Sequence, residues 1–157
     1  LRAAKDLGIS TAIESMAYAK YEVIETLLPY LDTYLMDIKH MNPEKHKEYT
    51  GHDNLRMIEN ALRVAHSGQT ELIIRVPVIP GFNDTEEELL AIAKFANTLP
   101  GVRQIHILPY HNFGQGKYEG LNRDYPMGDA PRPSDEQMKA FQEIIQKNTS
   151  LHCQIGG

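Results

Sequence analysis

Glu71-Leu72-Ile73-Ile74-Arg75-Val76-Pro77-Val78-Ile79, followed at once by Pro80-Gly81, is the most strand-like run in the chain. Its Ile and Val residues suit a pleated, buried surface. Pro77 and Pro80 make the strand irregular, because proline lacks the amide proton that a sheet ladder needs. A helix is predicted on either side. Upstream, Ile58, Ala61, Leu62 and Ala65 recur at three and four residues, which reads as a helix over roughly Asn54 to His66, closed by Gly68. Downstream, Asn83-Asp84-Thr85 precedes Glu86, Glu87 and Glu88, placing capping side chains and negative charge at the positive end of a helix that reaches about Leu99. Val102 to Leu108 is then a further strand, leading into Pro109-Tyr110-His111.

The same alternation extends outward in both directions. Toward the amino end, Thr33 to Lys39 reads as a strand, Asn42-Pro43 as a helix start with a gap at Gly51, and Tyr18 to Leu31 as a helix with apolar positions at Val23, Ile24, Leu27 and Leu28. Ile9 to Ser15 is a first strand, preceded by a helical turn over Leu1 to Leu7 that Gly8 stops. Toward the carboxyl end, Asn112 to Pro133 is read as one long irregular stretch. Ser134 with Gln137 forms a capping box for a helix to about Asn148, and Leu151 to Ile155 is a fifth strand. Strands alternating with helices in units of about 30 residues imply βαβ crossovers and a parallel sheet, hence an α/β protein read as a single domain over residues 1–157. Periodicity does not decide between an open sheet and part of a barrel. A complete eight-fold barrel needs about 250 residues, so a barrel in 157 residues is a partial one.

A hydrophobic share of 41% with 24% charged residues is ordinary globular composition and excludes a disordered or fibrous chain. The formal charge is −5, from 16 Lys and Arg against 21 Asp and Glu, with no basic face; general nucleic-acid binding is therefore not expected. No apolar run approaches the roughly 20 residues needed to span a bilayer, and the amino end is not a signal peptide, so no membrane partner and a cytoplasmic setting are expected. Cys153 is the one cysteine, which excludes an internal disulfide and a thiolate-held cluster supported by this chain alone. It reads as structural. Leu1 falls inside a helix, and a fragment is expected.

Chemistry collects at the strand ends. Each of the first four apolar runs finishes in ionisable or conformationally unusual residues: Glu14-Ser15, Asp37-Ile38-Lys39, Arg75-Val76-Pro77 and Pro109-Tyr110-His111. In parallel α/β architectures the carboxyl ends of neighbouring strands face one crevice, where ligands bind. Residues two apart share a face, so Asp37 and Lys39 should project together while Ile38 faces away. Carboxylates, Lys, Arg and His gathered in this way suit a zwitterionic or polyhydroxylated small molecule. Read singly, Asp37 and Lys39 could be a local ion pair, Arg75 a rim salt bridge and His111 a loop residue. His40, His46 and His52 lack the spacing of a zinc site, and no metal is expected on them. Gly114-Gln115-Gly116-Lys117 lacks the spacing of a phosphate loop and reads as a flexible surface loop.

Three segments carry a resemblance: Tyr34-Leu35-Met36-Asp37-Ile38-Lys39; Ile74 to Pro77 with Val78-Ile79-Pro80-Gly81-Phe82-Asn83-Asp84; and Ile107-Leu108-Pro109-Tyr110-His111-Asn112-Phe113-Gly114 with Lys117-Tyr118. In order, spacing and intervening helices they resemble the glycyl-radical-enzyme activating enzymes of the pyruvate formate-lyase activating type, within the radical S-adenosylmethionine superfamily. The resemblance covers essentially the whole chain and implies the carboxyl-terminal portion of a (β/α)6 TIM-like barrel. It implies S-adenosylmethionine as cofactor. It also implies, in the complete protein, a [4Fe-4S] cluster on a three-cysteine loop and a 5′-deoxyadenosyl radical that takes hydrogen from a glycine of a partner such as pyruvate formate-lyase, with flavodoxin or ferredoxin as electron donor. By position, Asp37, Ile38 and Lys39 match the cofactor-contacting strand motif, Lys39 toward the carboxylate. His111 matches the histidine beside the adenosyl portion, and Arg75 an arginine lining the ribose and methionine region. Glu14 stands where relatives carry an acidic residue near the methionyl end; the pyruvate formate-lyase activator has Asp there.

The cysteine triad and the Gly-Gly-Glu-Pro motif of the family are missing from this sequence. The chain alone is therefore expected to be inactive. A second reading is a non-catalytic module that docks on a glycyl radical enzyme through Asn112 to Pro133. Either way, an open sheet edge at the first strand is expected to favour dimers or aggregates.

Overall fold

A computed structural model describes residues 1–125, 127–128 and 130–157. Five parallel strands, β1 (Ala12–Ser15), β2 (Thr33–Asp37), β3 (Glu71–Val78), β4 (Gln104–Pro109) and β5 (His152–Ile155), form one sheet in the order β1-β2-β3-β4-β5. Every strand lies beside its neighbour in sequence. A doubly wound sheet would reverse direction at a switch point; this order has no reversal and is that of a barrel segment, in agreement with the α/β partial barrel expected.

The helices are α1 (Arg2–Asp6), α2 (Tyr21–Glu25), α3 (Pro43–Thr50), α4 (Leu55–Ser67), α5 (Glu86–Thr98), α6 (Gln115–Gly120) and α7 (Asp135–Asn148). One sheet face is apolar: Tyr34 and Met36 on β2, Leu72, Ile74, Val76 and Val78 on β3, Ile105 and Ile107 on β4, and Cys153 on β5 are all buried with helix residues such as Val64, Leu89, Ile92, Phe141 and Ile145. The other face alternates with it and bears Glu14, Asp37, Arg75, His106 and Leu108. That face holds the chemistry.

Helix starts follow side-chain capping. Asn42 accepts from the Lys45 amide (2.9 Å), Thr85 from Glu88 (3.2 Å) and Ser134 from Gln137 (3.1 Å). Gly51 and Gly68 end α3 and α4 in the left-handed conformation.

Three expectations need correction. The helix expected over Tyr18 to Leu31 is a five-residue helix, α2, followed by a 3-10 turn over Leu28–Tyr30. Pro29 cannot donate to the ladder, so the chain tightens there; Tyr21, Ile24 and Leu28 turn inward and Val23 is exposed. The first strand starts at Ala12 rather than Ile9, because Thr11 is diverted: its amide donates to Asp32 Oδ2 (2.8 Å) and its hydroxyl to the Tyr30 carbonyl (2.7 Å). Finally, the stretch Asn112 to Pro133 contains α6, so Gln115-Gly116-Lys117 is helical and not a flexible loop. Positions 126 and 129 of that stretch lie outside the described residues.

Candidate functional site

The carboxyl ends of the strands deliver the charged side chains to one place. Asp37 and Arg75 are register partners on β2 and β3, so their side chains rise side by side from the same face. Arg75 is ion-paired to Glu14 through Nη1, and its Nε lies 3.6 Å from Asp37 Oδ1. Lys39, two residues beyond Asp37, places Nζ 2.9 Å from Asp37 Oδ2. The result is a continuous series, Glu14–Arg75–Asp37–Lys39, drawn from three strands. Opposite charges alternate along it, so each group is held in place by its neighbours.

Arg75 and Glu14 also line a cleft of about 350 Å3, shared with Leu108, Pro109, His111, Phe113, Arg132, Gly156 and Gly157. His111 stands at its rim. The His111 ring lies against Phe113, with centroids 4.3 Å apart, and among the described residues no hydrogen bond or ion pair joins it to the charged series. Ile38 is different. Its side chain is buried in the core on the helix side, and it reaches the site only through its amide, which donates to the Arg75 carbonyl at 2.9 Å. The alternation of the pleat had placed it there. Glu14, Asp37, Lys39 and Arg75 are thus in mutual contact, His111 shares their cleft, and Ile38 fixes strand spacing behind them.

Three residues were not singled out from sequence. The sequence places Asn83 among capping side chains, yet Thr85 is the cap and Asn83 is wholly buried. Its amide donates to the carbonyls of Lys39 (2.6 Å) and Pro77 (2.8 Å), and its oxygen accepts from the Ile79 amide (2.7 Å). It thereby ties the ends of β2 and β3 together where Lys39 and Arg75 emerge. Arg132 reaches the cleft from the stretch before α7, a long-range approach with no local signal. His106 lies inside an apolar run; alternation with Leu108 was the available sign that it faces inward.

Among the described residues, four buried side-chain polar atoms lack a hydrogen-bond partner: Asp37 Oδ1, Arg75 Nε, and both ring nitrogens of His106. Buried polar groups are nearly always paired. All four of these belong to one row across the sheet, since Asp37 pairs with Arg75 and Arg75 with His106. The charged series above this row suits a zwitterionic small molecule. An iron–sulfur cluster does not suit the residues present. Cys153 lies on the helix side of β5, where burial pushes its thiol up to about 12, and no group of three metal-binding side chains exists among the described residues. No helix of the described residues is long and apolar enough to cross a membrane.

No family model matches the chain. It is 40% identical over 147 residues to the isethionate sulfite-lyase activating enzyme of Nitratidesulfovibrio vulgaris, covering 92% of this chain and 47% of that protein. It is 36% identical over 152 residues to the 4-hydroxyphenylacetate decarboxylase activating enzyme of Clostridioides difficile, covering 96% and 48%. The chain spans about half the length of the curated relatives it matches. In fold it is similar to a domain of pyruvate-formate lyase-activating enzyme from Bacteroides vulgatus, with a TM-score of 0.79 at 24% identity over 99% of this chain and 86% of that one. Streptococcus suis SuiB, solved bound to S-adenosylmethionine, gives a TM-score of 0.69 at 17% identity, covering 99% and 33%. In sequence this chain is a homologue of the activating enzymes of glycyl radical enzymes, and in fold it agrees with a domain of pyruvate-formate lyase-activating enzyme.

Proposed function

We propose that this chain is the S-adenosylmethionine-binding, carboxyl-terminal portion of an activating oxidoreductase, one domain over residues 1–157 that completes its barrel with a cluster-bearing portion. The observation that carries the reading is the Glu14–Arg75–Asp37–Lys39 series at the mouth of the cleft. When bound beside a [4Fe-4S] cluster, the cofactor supplies one-electron cleavage of its sulfonium and hydrogen-atom abstraction from a glycine of the partner.

The residues of this chain bind and orient. Lys39 and Arg75 offer donors to the methionyl carboxylate, and Asp37 and Glu14 offer acceptors to its ammonium. Because these groups are already paired with one another, little side-chain entropy remains to be lost on binding. His111 and Phe113 form an aromatic wall at the rim, suited to the purine face. Asn83 holds the backbone from which Lys39 projects. The macromolecular partner is a glycyl radical enzyme such as pyruvate formate-lyase or a homologue, the electron donor is a flavodoxin or ferredoxin, and the setting is cytoplasmic. The chain alone supplies no cluster ligands and is inactive.

Calorimetric titration of S-adenosylmethionine into the complete protein tests the site. The Lys39→Ala/His111→Ala double variant is expected to bind at least tenfold more weakly; an unchanged affinity sinks the assignment. The non-catalytic docking module is favoured by one feature, the exposure of Phe113 (81%) at the cleft and of Leu121 (66%) at the end of α6. It predicts complex formation with a glycyl radical enzyme and no cofactor binding in the same titration.

A further inference from the structure

Lys39 lies beyond the paired part of its strand. β2 ends at Asp37, the register partner of Arg75, and the Ile38 amide then bonds the Arg75 carbonyl. Register therefore aims Asp37 and Arg75 but not Lys39. The backbone from Lys39 to Met41 is held instead by side chains of three other segments. Asn83 donates to the Lys39 carbonyl (2.6 Å), Asn54 donates to the carbonyls of His40 (2.6 Å) and Met41 (2.8 Å), and Glu88 accepts from the Met41 amide.

Two of these side chains forgo a local use. Glu88 is the third residue of α5, a position from which glutamate commonly reaches back to the amide of its own helix cap. It bonds the Met41 amide, 47 positions away. Asn54 occupies the N-cap position of α4, yet its side chain makes no cap bond among the described residues and its amide goes to residues 40 and 41. His40 brings a further contact: its Nδ1 accepts from the Asn42 amide (3.0 Å) and lies 3.0 Å from Glu88 Oε1. That nitrogen cannot accept from Asn42 and donate to Glu88 at once. The bond that Glu88 makes in either protonation state of His40 is the one from Met41.

We propose that Glu88 is a positioning residue for cofactor binding, fixing the Lys39–Met41 backbone so that Lys39 meets the methionyl carboxylate. This rests on the S-adenosylmethionine reading above. The Lys39 side chain is 21% exposed, so its ammonium, 2.9 Å from Asp37 Oδ2, is open to a ligand. A lysine on a fixed backbone loses less freedom on meeting a carboxylate than one on a loose loop. Glu88 touches no ligand in this role. Without it the Met41 amide loses its acceptor, and the loop that carries Lys39 loses its tie to α5.

The test separates positioning from general support of the fold. The complete protein and its variants are titrated with S-adenosylmethionine and with 5′-methylthioadenosine, which keeps the nucleoside but lacks the methionyl amine and carboxylate. Glu88→Ala is expected to bind S-adenosylmethionine about tenfold more weakly and methylthioadenosine as the parent does, since only the first carries the carboxylate that Lys39 meets. Added to Lys39→Ala, Glu88→Ala should cause no further loss, because the lysine it positions is gone. Glu88→Gln keeps an acceptor for the Met41 amide and should bind within about twofold of the parent. Should Glu88→Ala fail to fold, Glu88→Asp, one methylene shorter, is read by the same criteria. Unchanged affinity for S-adenosylmethionine, an equal loss for both ligands, or a loss that adds in full to that of Lys39→Ala overturns the inference. If the parent binds no S-adenosylmethionine, the cofactor reading falls and the inference with it. If the parent binds and Lys39→Ala weakens it while Glu88→Ala does not, the reading stands and the role of Glu88 does not.

Discussion

Asn83 shows how one buried side chain governs the placement of others. It satisfies three backbone groups, from Lys39, Pro77 and Ile79, at the point where two strands end. Asn83→Ala is expected to destabilise the fold by about 3 kcal/mol, because each backbone group left unpaired in the interior carries its own desolvation penalty. Urea unfolding measures this, and a loss below about 1 kcal/mol would contradict the role. Histidines set a pH dependence. His40, buried against Glu88 at 3.0 Å, and His106 are both held below their ordinary value, in each case first by burial. A histidine depressed in the folded state is protonated more readily unfolded, so stability rises with pH across the interval between the two values. The contribution is complete above the unfolded value, near 6.5, and is lost as pH falls through the folded ones. Stability should therefore fall as pH drops below about 6.5, and His106→Leu should flatten that slope; a slope equal to the parent's counts against it. Glu14, Asp37, Lys39, Arg75 and His111 were legible because they end apolar runs. His106 and Asn83 were not, since one sits within such a run and the other beside a better capping residue. Their roles depend on register and on a contact spanning 44 positions.

Local chemistry explains why most secondary structure could be read and why some could not. The capping side chains of α3, α5 and α7 and the glycines closing α3 and α4 are encoded within a few residues of the boundaries they set. Thr85→Ala and Ser134→Ala are each expected to cost about 1 kcal/mol. The two caps sit on different helices and share no hydrogen-bond partner, so the double variant should lose the sum in chemical denaturation; marked non-additivity would show that the caps are coupled. The region after β1 escaped such reading because long-range contacts override its periodicity. Ala17 adopts a positive φ of 53°, and the Asn60 amide holds the carbonyls of Ala17 (2.7 Å) and Ala19 (2.9 Å) from α4. Asn60→Ala should release this loop and lower stability by about 2 kcal/mol, with faster amide exchange confined to residues before α2. A uniform change in exchange would argue against a local clamp.

Strand order is the property that periodicity left open and topology settles: a sequential parallel sheet curves toward closure, and its functional groups gather on the concave side. The same geometry leaves two outer edges within this chain, one along β1 and one along β5. They are not equivalent. The exposed residues of the strands themselves are Ala12 and Glu14 on β1 and the polar His152 and Gln154 on β5, but the segment leading into β1 adds exposed Leu7 (77%) and Ile9 (55%). An unpaired edge flanked by exposed apolar side chains is a better template for pairing with another chain than one flanked by polar ones. The isolated 157-residue chain should therefore self-associate through β1. Sedimentation velocity over a rising concentration series should show the weight-average coefficient increasing. Leu7→Lys/Ile9→Lys should shift the distribution toward monomer by like-charge repulsion, while Gln154→Lys should leave it unchanged. A monomer at all concentrations, or equal effects of the two substitutions, would show that the β1 edge is not the adhesive one. Because Glu14 lies on β1 and anchors Arg75, pairing along that edge also bears on the proposed cofactor site: the monomeric double-lysine variant keeps Glu14, Asp37, Arg75 and Lys39 intact, and its affinity for S-adenosylmethionine separates an occluded site from an incomplete one.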